Sequence, residues 1–416
     1  MQRPYDVLVI GAGLAGLACA HDLVFAGLSV EVLEASDGVG GRMRTDRRDG
    51  FLLDRGFQVF NTSYPQVKKR LELRDLRLHP FTPGFLLHRG VEMLRVVDPT
   101  RRPRAVADLR PGRLAPARDL AALGVLTARD MLAPAALLKR GPDRTTWTAL
   151  AEAGVSDETI DSVLRPFLSG VFLEDELETS ARFFHLVWRS MTRGSLCLPQ
   201  AGIGAVPAQL ADRLPPGTVS LGTPVAAVTD DGVLLDDGSE RSASAVVVAT
   251  GPRAASRLLP GLEVPATRTV TTYYHAASTP PLAEPTLVTD SRHRFLNTCV
   301  LSEVCRSYAP EGRSLISTSV LGRDEPGRER ALLADLADVY VTGTGSWDRV
   351  ASCTVEDALP AMPPPWPLSR SSRFGPARYL CGDHRATGSV QGALASGARA
   401  AREVLADRGA GPRGRG

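Results

Sequence analysis

Tyr5-Asp6-Val7-Leu8-Val9-Ile10-Gly11-Ala12-Gly13-Leu14-Ala15-Gly16 is the stretch that decides the fold. Val7-Leu8-Val9-Ile10 is a continuous apolar run, the pattern of a parallel strand covered on both faces. It runs straight into a full G-x-G-x-x-G. After it, Leu17, Ala18, Ala20, His21, Leu23 and Val24 keep a helical period as far as Gly27, a helix stop. Ser29-Val30-Glu31-Val32-Leu33-Glu34 reads as a second strand that ends on an acid. Each part has a physical task in a dinucleotide-binding βαβ unit. Gly11 permits the tight turn, Gly13 lets backbone approach a pyrophosphate, and Gly16 lets helix and strand pack closely. Leu14 and Ala15 open the helix, whose free N–H groups and dipole favour the phosphate charge. Glu34, just over twenty residues beyond Gly11, is placed to accept hydrogen bonds from ribose hydroxyls.

The next segment, Ala35-Ser36-Asp37-Gly38-Val39-Gly40-Gly41-Arg42-Met43-Arg44-Thr45, follows Glu34 directly. In this acid followed by G-G-R-x-x-T, the chain resembles the flavin superfamily of amine and polyamine oxidases, phytoene desaturases and protoporphyrinogen oxidases. The resemblance implies that Ala35 and the Gly40, Gly41, Arg42, Met43 and Arg44 segment wrap FAD, with Arg42 at the pyrophosphate. An arginine fork suits a pair of phosphate oxygens on physical grounds as well. The C-terminal part carries the matching half. Tyr379-Leu380-Cys381-Gly382-Asp383 ends a short strand, and Gly388-Ser389-Val390-Gln391-Gly392 opens a helix running from about Ser389 to Ala406. By the same resemblance Gly382 and Asp383 meet the ribityl or pyrophosphate part, and the helix start at Ser389, Val390 and Gln391 faces the flavin. Asp54-Arg55-Gly56 resembles the superfamily's D-x-G turn. Val225 is the expected backbone contact to adenine, and Thr250-Gly251 the turn after a buried strand, Ala245–Ala249.

The implied fold class is α/β: a Rossmann-type FAD-binding domain of the two-dinucleotide-fold kind with an inserted α+β cap. The expected division gives 1–75, 196–262 and 346–408 to the FAD portion, 76–195 and 263–345 to the cap, and 409–416 to a disordered tail. Helical periods stand at Leu120–Leu138, Asp157–Leu168 and Ser180–Met191, and strand-like alternation at Thr267–His275 and Ser314–Val320. Gly202-Ile203-Gly204 is read as having no strand before it. No second dinucleotide unit is therefore expected, and the organic substrate itself becomes the electron donor.

At 416 residues with 43% hydrophobic and 23% charged content, two domains of an ordinary globular protein are expected. A net charge of +3 gives no support to nucleic-acid binding. Six scattered cysteines without a CxxC pair exclude a disulfide framework and a zinc site, and no metal is expected. No apolar run reaches membrane-spanning length. A strand and glycine fingerprint right at the N-terminus argue against a signal peptide, so a cytoplasmic setting is expected. The helix around 118–138 reads as core-facing, with peripheral membrane contact as its alternative.

In the resembled amine oxidases a lysine in the C-terminal half holds a water at the flavin. This chain has only Lys68, Lys69 and Lys139. The expected function is thus an FAD-dependent oxidoreductase taking a hydride from an organic, apolar substrate, with oxygen or a quinone-like acceptor. A flavin amine oxidase producing hydrogen peroxide and a non-catalytic FAD-containing binding protein are the alternatives. Catalytic residues stay unknown; His275, Tyr273, Tyr274 and His384 are candidates for proton handling. Leu164–Phe172 is expected mainly as cap core. Cys353 lies thirty residues before Asp383, the spacing of a flavin-linking cysteine in some amine oxidases, but Thr354 replaces the aromatic neighbour. Non-covalent FAD is expected.

Overall fold

The computed structural model describes residues 5–97, 101 and 112–409; the expected tail beyond Gly409 lies outside the described residues. The opening unit forms as the sequence dictates. Strand Tyr5–Ile10 feeds helix Leu14–Phe25, which returns to strand Val30–Leu33, and the two strands pair in parallel. Four consecutive residues of each strand are buried, which is why both read as unbroken apolar runs. Strand Glu240–Val248 lies on the other side of the first strand, again parallel. Arg378–Leu380 pairs parallel beyond it. The early residues of Glu240–Val248 also pair antiparallel with Gly232–Leu235, which continues to Val225–Thr229 as a meander.

The C-terminal helix Val390–Asp407 packs against the first helix. Close contact needs a small residue at the crossing: a Cβ on Gly397 would stand 2.0 Å from the Ala15 carbonyl oxygen. At the other crowded point a Cβ on Gly16 would stand 2.0 Å from the Gly11 carbonyl oxygen, while Gly11 itself holds φ +103°. Both observations match the roles of helix–strand closeness and tight turning.

The cap is a seven-stranded sheet with helices. Its order is Asp348–Pro360, Thr267–Ala277, Ser314–Leu321, Asn297–Val300, Val288–Asp290, Gly84–Arg89 and Glu92–Val97. Neighbours are antiparallel except Val288–Asp290 with Gly84–Arg89. The strand Asp348–Pro360 was expected in the FAD portion, yet it is the edge of the cap sheet, paired along Thr267–Ala277. Thr267–Ala277 is buried on both faces in its second half, one against the dinucleotide side and the other against helix Arg328–Tyr340.

Two expected helices are interrupted, both at proline. The period over Leu120–Leu138 yields Ala117–Leu132 and Ala135–Leu138, because Pro134 has no N–H to donate and drives Ala133 to an extended ψ of 144°. Its core-facing reading holds only in part: Leu126 is buried, but so are Asp119 and Asp130, while Val125 and Leu132 are exposed. Asp119 accepts from Ser156 and Thr159, and Asp130 meets His185. Asp157–Leu168 starts as a helical turn, widens through a π-helical segment at Ile160–Leu164, and resumes as Arg165–Phe172 around Pro166.

A strand does precede Gly202: Leu196–Pro199, with helix Ala205–Ala211 after it. That strand sits in a three-stranded antiparallel sheet with Phe60–Asn61 and Leu78–Pro80, so the segment makes no parallel βαβ unit. Gly202 is there because a Cβ would stand 2.3 Å from Thr45 Oγ1. No helix among the described residues is long and apolar enough to cross a membrane.

Candidate active site

Between the parallel sheet and the cap lies a cavity of about 1010 Å³. Its dinucleotide end is lined by Gly11, Gly13, Leu14, Ala15, Glu34, Ala35, Gly40, Gly41, Arg42 and Met43 from the N-terminal unit. Val225, Thr250, Gly251, Gly382, Asp383, Ser389 and Val390 complete it. Segments far apart in sequence thus converge because strand ends and helix starts meet at one edge of the parallel sheet, where such folds bind ligands.

Three residues of the expected set are not on this lining. Gly16 acts through packing. Arg44 turns to Asp37, with 2.7 Å between Nη2 and Oδ1. Gln391 points to helix Pro65–Arg70, its Oε1 accepting the Gln66 amide at 2.9 Å.

The lining is organised by charged groups with fixed partners. Glu34 Oε2 accepts the Ala12 amide at 2.7 Å, and Oε1 accepts the Ser36 amide at 3.0 Å and hydroxyl at 2.7 Å. The carboxylate therefore shapes the glycine turn, and its remaining lone pairs are available to a ribose. Arg42 Nη2 meets Asp383 Oδ1 at 2.7 Å, joining the two motifs, while Nη1 donates to the Ala358 carbonyl at 2.7 Å. The starts of helices Leu14–Phe25 and Val390–Asp407 both reach the cavity, adding two positive dipole ends.

Whether FAD fits is tested at Gly13. A Cβ built there meets no atom within 4 Å, although residues 14–20 of the helix behind are buried, so the space in front of the glycine is cavity and not protein. That is a backbone left open for a phosphate at a helix start. Gly11 to Ala15, Glu34, Arg42 and Asp383 would hold the cofactor.

The cap end is different in chemistry. Helix Arg165–Phe172 contributes Phe167, Gly170 and Val171, and Ala181–Arg193 contributes Phe183, Val187 and Met191. The sheet and the turns entering it contribute Val270, Leu287, Thr289, Leu296, Asn297 and Ser319, and its edge strand Asp348–Pro360 adds Val355, Asp357, Ala358 and Leu359. Cavity-lining residues from 167–196 and 270–319 include no ionisable side chain. Within Leu164–Phe172 the two faces divide, since Leu164, Leu168 and Phe172 are buried core.

The proton-handling candidates stand off this lining. Tyr273 and His275 lie on the far face of the sheet, where Tyr273 donates to Asp324 and His275 Nε2 is 3.0 Å from Glu329 Oε1. Burial lowers the His275 pKa. Tyr274 faces the dinucleotide side, but its hydroxyl donates to the Asp54 carbonyl at 2.6 Å. His384 is buried behind Asp383, neither ring nitrogen hydrogen-bonded among the described residues, and burial pushes its pKa down to about 4. Cys353 is half-buried beside Gly56, and burial raises its thiol pKa.

Two features were not found in the sequence. One is the buried knot at Asp54, whose Oδ1 accepts Thr45 Oγ1 at 2.6 Å and the Ile203 amide at 2.9 Å, and whose Oδ2 accepts Tyr308 at 2.9 Å. It fixes Arg55-Gly56-Phe57, all on the lining, between the two halves. The D-x-G signal pointed to the turn, whereas Tyr308 had no motif. The other is the cap lining itself, for which no local signal exists.

The model of the family described as flavin containing amine oxidoreductase matches residues 14–405. An L-amino-acid oxidase of Crotalus adamanteus is 40% identical over 81 residues, 20% of this chain and 16% of that protein. The chain thus spans under a fifth of that relative's length. Coproporphyrinogen III oxidase of Propionibacterium freudenreichii is 28% identical over 310 residues, 61% of this chain and 58% of its own. The fold of cyclohexylamine oxidase from Brevibacterium oxydans superposes with a TM-score of 0.70 at 19% identity, covering 98% of this chain and 100% of that one. The chain belongs to the flavin-containing amine oxidoreductase family, and with it to the FAD-dependent oxidoreductases.

Proposed function

We propose that this member of the family takes a hydride from an uncharged, largely apolar organic substrate, in the manner of a desaturase or dehydrogenase. The observation that carries the reading is the cap end of the cavity, where 167–196 and 270–319 contribute no ionisable side chain. A buried ammonium with no carboxylate beside it costs several kcal/mol. The acids that do reach the lining are committed elsewhere: Asp383 to Arg42, Asp357 to Arg253 at 3.0 Å, and Glu34 to the glycine turn. Asp236 sits on the meander at the dinucleotide end. None of the three lysines lines the cavity, which weighs against the lysine-dependent chemistry of the resembled amine oxidases.

Bound FAD supplies a two-electron acceptor. The chain supplies position and a dry chamber. Phe167, Val171, Phe183 and Val187 exclude water from the substrate. The two helix starts and Arg42 stabilise negative charge at the cofactor. With no acid or base on those stretches of the cap, the proton that the oxidised substrate must also lose passes to solvent water as the product leaves the cavity. Anaerobic mixing with the purified FAD-loaded protein tests it, read by loss of the flavin's visible absorption. Octaethylporphyrinogen, an uncharged porphyrinogen with alkyl groups only, is expected to bleach the flavin faster than cyclohexylamine, putrescine or L-leucine. Faster bleaching by any of those amines would overturn the proposal.

A further inference from the structure

We infer that the outer face of helices Ala117–Leu132 and Ala135–Leu138 is a docking surface for an anionic lipid membrane.

Helix Ala117–Leu132 is amphipathic in the opposite sense to a helix that faces water. Its two acids, Asp119 and Asp130, are both 0% exposed and turn inward. Asp119 accepts from Ser156 and Thr159, and Asp130 Oδ2 lies 2.7 Å from His185 Nδ1. The outward arc, at spacings of three and four, is Arg118, Ala121, Val125, Ala128 and Leu132. Val125 is 72% and Leu132 75% exposed, and beyond Pro134 Leu137 is 59% exposed. Three of the eight large hydrophobic residues exposed among the described residues thus fall between 125 and 137. Single exposed aliphatics are ordinary, whereas a cluster of them with a polar rim marks a surface that is covered in use.

Charge decides what covers it. From 112 to 140 every exposed ionisable residue is a cation: Arg113, Arg118, Arg129, Lys139 and Arg140. Arg118 and Arg129 lie beside the buried acids that follow them in the chain, at 3.4 and 2.8 Å. Lys139 and Arg140 have no carboxylate partner among the described residues. An aliphatic stripe rimmed by cations matches an anionic bilayer, where the side chains enter the acyl boundary and the cations meet headgroup phosphates. A second copy of the chain fits worse, since it would bring two cation-rimmed faces together with no exposed acid on 112–140 to offset them.

The face stands one helix layer outside the substrate end of the cavity. Helix Ala181–Arg193 lies between: its Val187 and Met191 line the cavity, while Trp188 Nε1 donates to Thr127 Oγ1 at 3.0 Å. Arg189 of the same helix donates to the carbonyls of Asp130 and Met131 at 2.7 and 2.8 Å. Docking therefore sets the cap end of the cavity beside lipid, the phase in which an apolar substrate dissolves.

Flotation of the FAD-loaded protein with vesicles of equimolar phosphatidylcholine and phosphatidylglycerol tests the surface, with phosphatidylcholine alone as the neutral control. The parent is expected to float with the anionic vesicles and to partition roughly ten-fold less onto the neutral ones. Leu132→Ser combined with Leu137→Ser should weaken binding to anionic vesicles by roughly ten-fold, with the melting temperature unchanged because both side chains are exposed. Lys139→Gln combined with Arg140→Gln should weaken it by roughly ten-fold as well and narrow the preference for anionic lipid. Val341→Ser, 89% exposed but outside the stripe, should float like the parent. A parent that stays in solution with both vesicles would overturn the inference, as would equal binding to the two compositions or a serine pair that floats like the parent. Self-association in sedimentation that the serine pair abolishes, without flotation, would overturn it by assigning the face to a second copy. No turnover enters these readings, so their failure leaves the hydride-transfer proposal standing, and failure of the bleaching screen leaves them intact.

Discussion

Gly13 and Gly16 belong to one fingerprint, yet the structure separates what each does, and two alanine variants can separate it in solution. At Gly16 an added methyl would sit 2.0 Å from the Gly11 carbonyl oxygen, a backbone atom that cannot swing aside. The helix must move off the strand, and overpacking of this severity costs roughly 3 kcal/mol. At Gly13 nothing lies within 4 Å, and the backbone at φ −73° and ψ 175° suits any L-residue. Cofactor-free stability should therefore change by less than about 0.5 kcal/mol. The methyl does, however, occupy the opening at the start of helix Leu14–Phe25. Losing one or two charge-assisted hydrogen bonds to a phosphate, each worth about 1.5–3 kcal/mol, weakens binding by at least ten-fold and on the order of several hundred-fold for two. Stripped protein would be melted without cofactor and then titrated with FAD, following flavin fluorescence quenching. Gly13→Ala should melt with the parent and bind poorly; Gly16→Ala should melt early. A Gly13→Ala protein with parental FAD affinity would refute the placing of the pyrophosphate at this helix start.

Asp54→Ala should destabilise the fold by roughly 3 kcal/mol, since Thr45, the Ile203 amide and Tyr308 all lose an acceptor, whereas Asp54→Asn should cost about half as much; equal urea midpoints for the two would refute the knot. His384 should stay neutral when folded, because burial holds its pKa at about 4 against an ordinary 6.5. Unfolded chains then take up the proton first, so stability is complete above pH 6.5 and falls between there and about 4, by roughly 3 kcal/mol at most. The difference in unfolding free energy between parent and His384→Leu should change over that window and nowhere else, and parallel pH curves would count against it. FAD should leave the protein on acid precipitation, because Cys353 is off the cavity lining and its thiol is held up by burial; colour that stays with the pellet in the parent and is lost in Cys353→Ala would reverse this.

The dinucleotide half was legible because its ligand makes demands on the backbone. A phosphate at a helix start calls for glycine at fixed spacing, so Gly11, Gly13 and Gly16 can be read without seeing the fold. The cap makes no such demand. Thr267–Ala277 is covered on both faces, so no alternation of polar and apolar residues marks which side meets the cavity. His275 and Tyr273 attract notice by their chemistry, yet they share the face that packs on Arg328–Tyr340. Thr272, next to Tyr273 in the chain and chemically bland, faces the cofactor side. The domain boundary near 346 failed to anticipate Asp348–Pro360 for a related reason: strand pairing joins segments distant in sequence, and composition does not record the partner.

Selectivity in such a site works mainly by exclusion. The cap lining from 167–196 and 270–319 can reward a fitting substrate only through contact area and a neutral hydrogen bond or two. Each such bond is worth about ten-fold in affinity, which discriminates modestly between similar apolar molecules. Against a cation the same lining is far stricter, because the ion loses its water and gains no counter-charge. Asp383 cannot relax this without breaking its own pair, because freeing it would take from Arg42 its carboxylate partner at the junction of the two FAD motifs. On the proposed reading, a member of an amine oxidoreductase family is closed to amines with its cofactor half unchanged, by the neutral residues that its cap presents from 167–196 and 270–319.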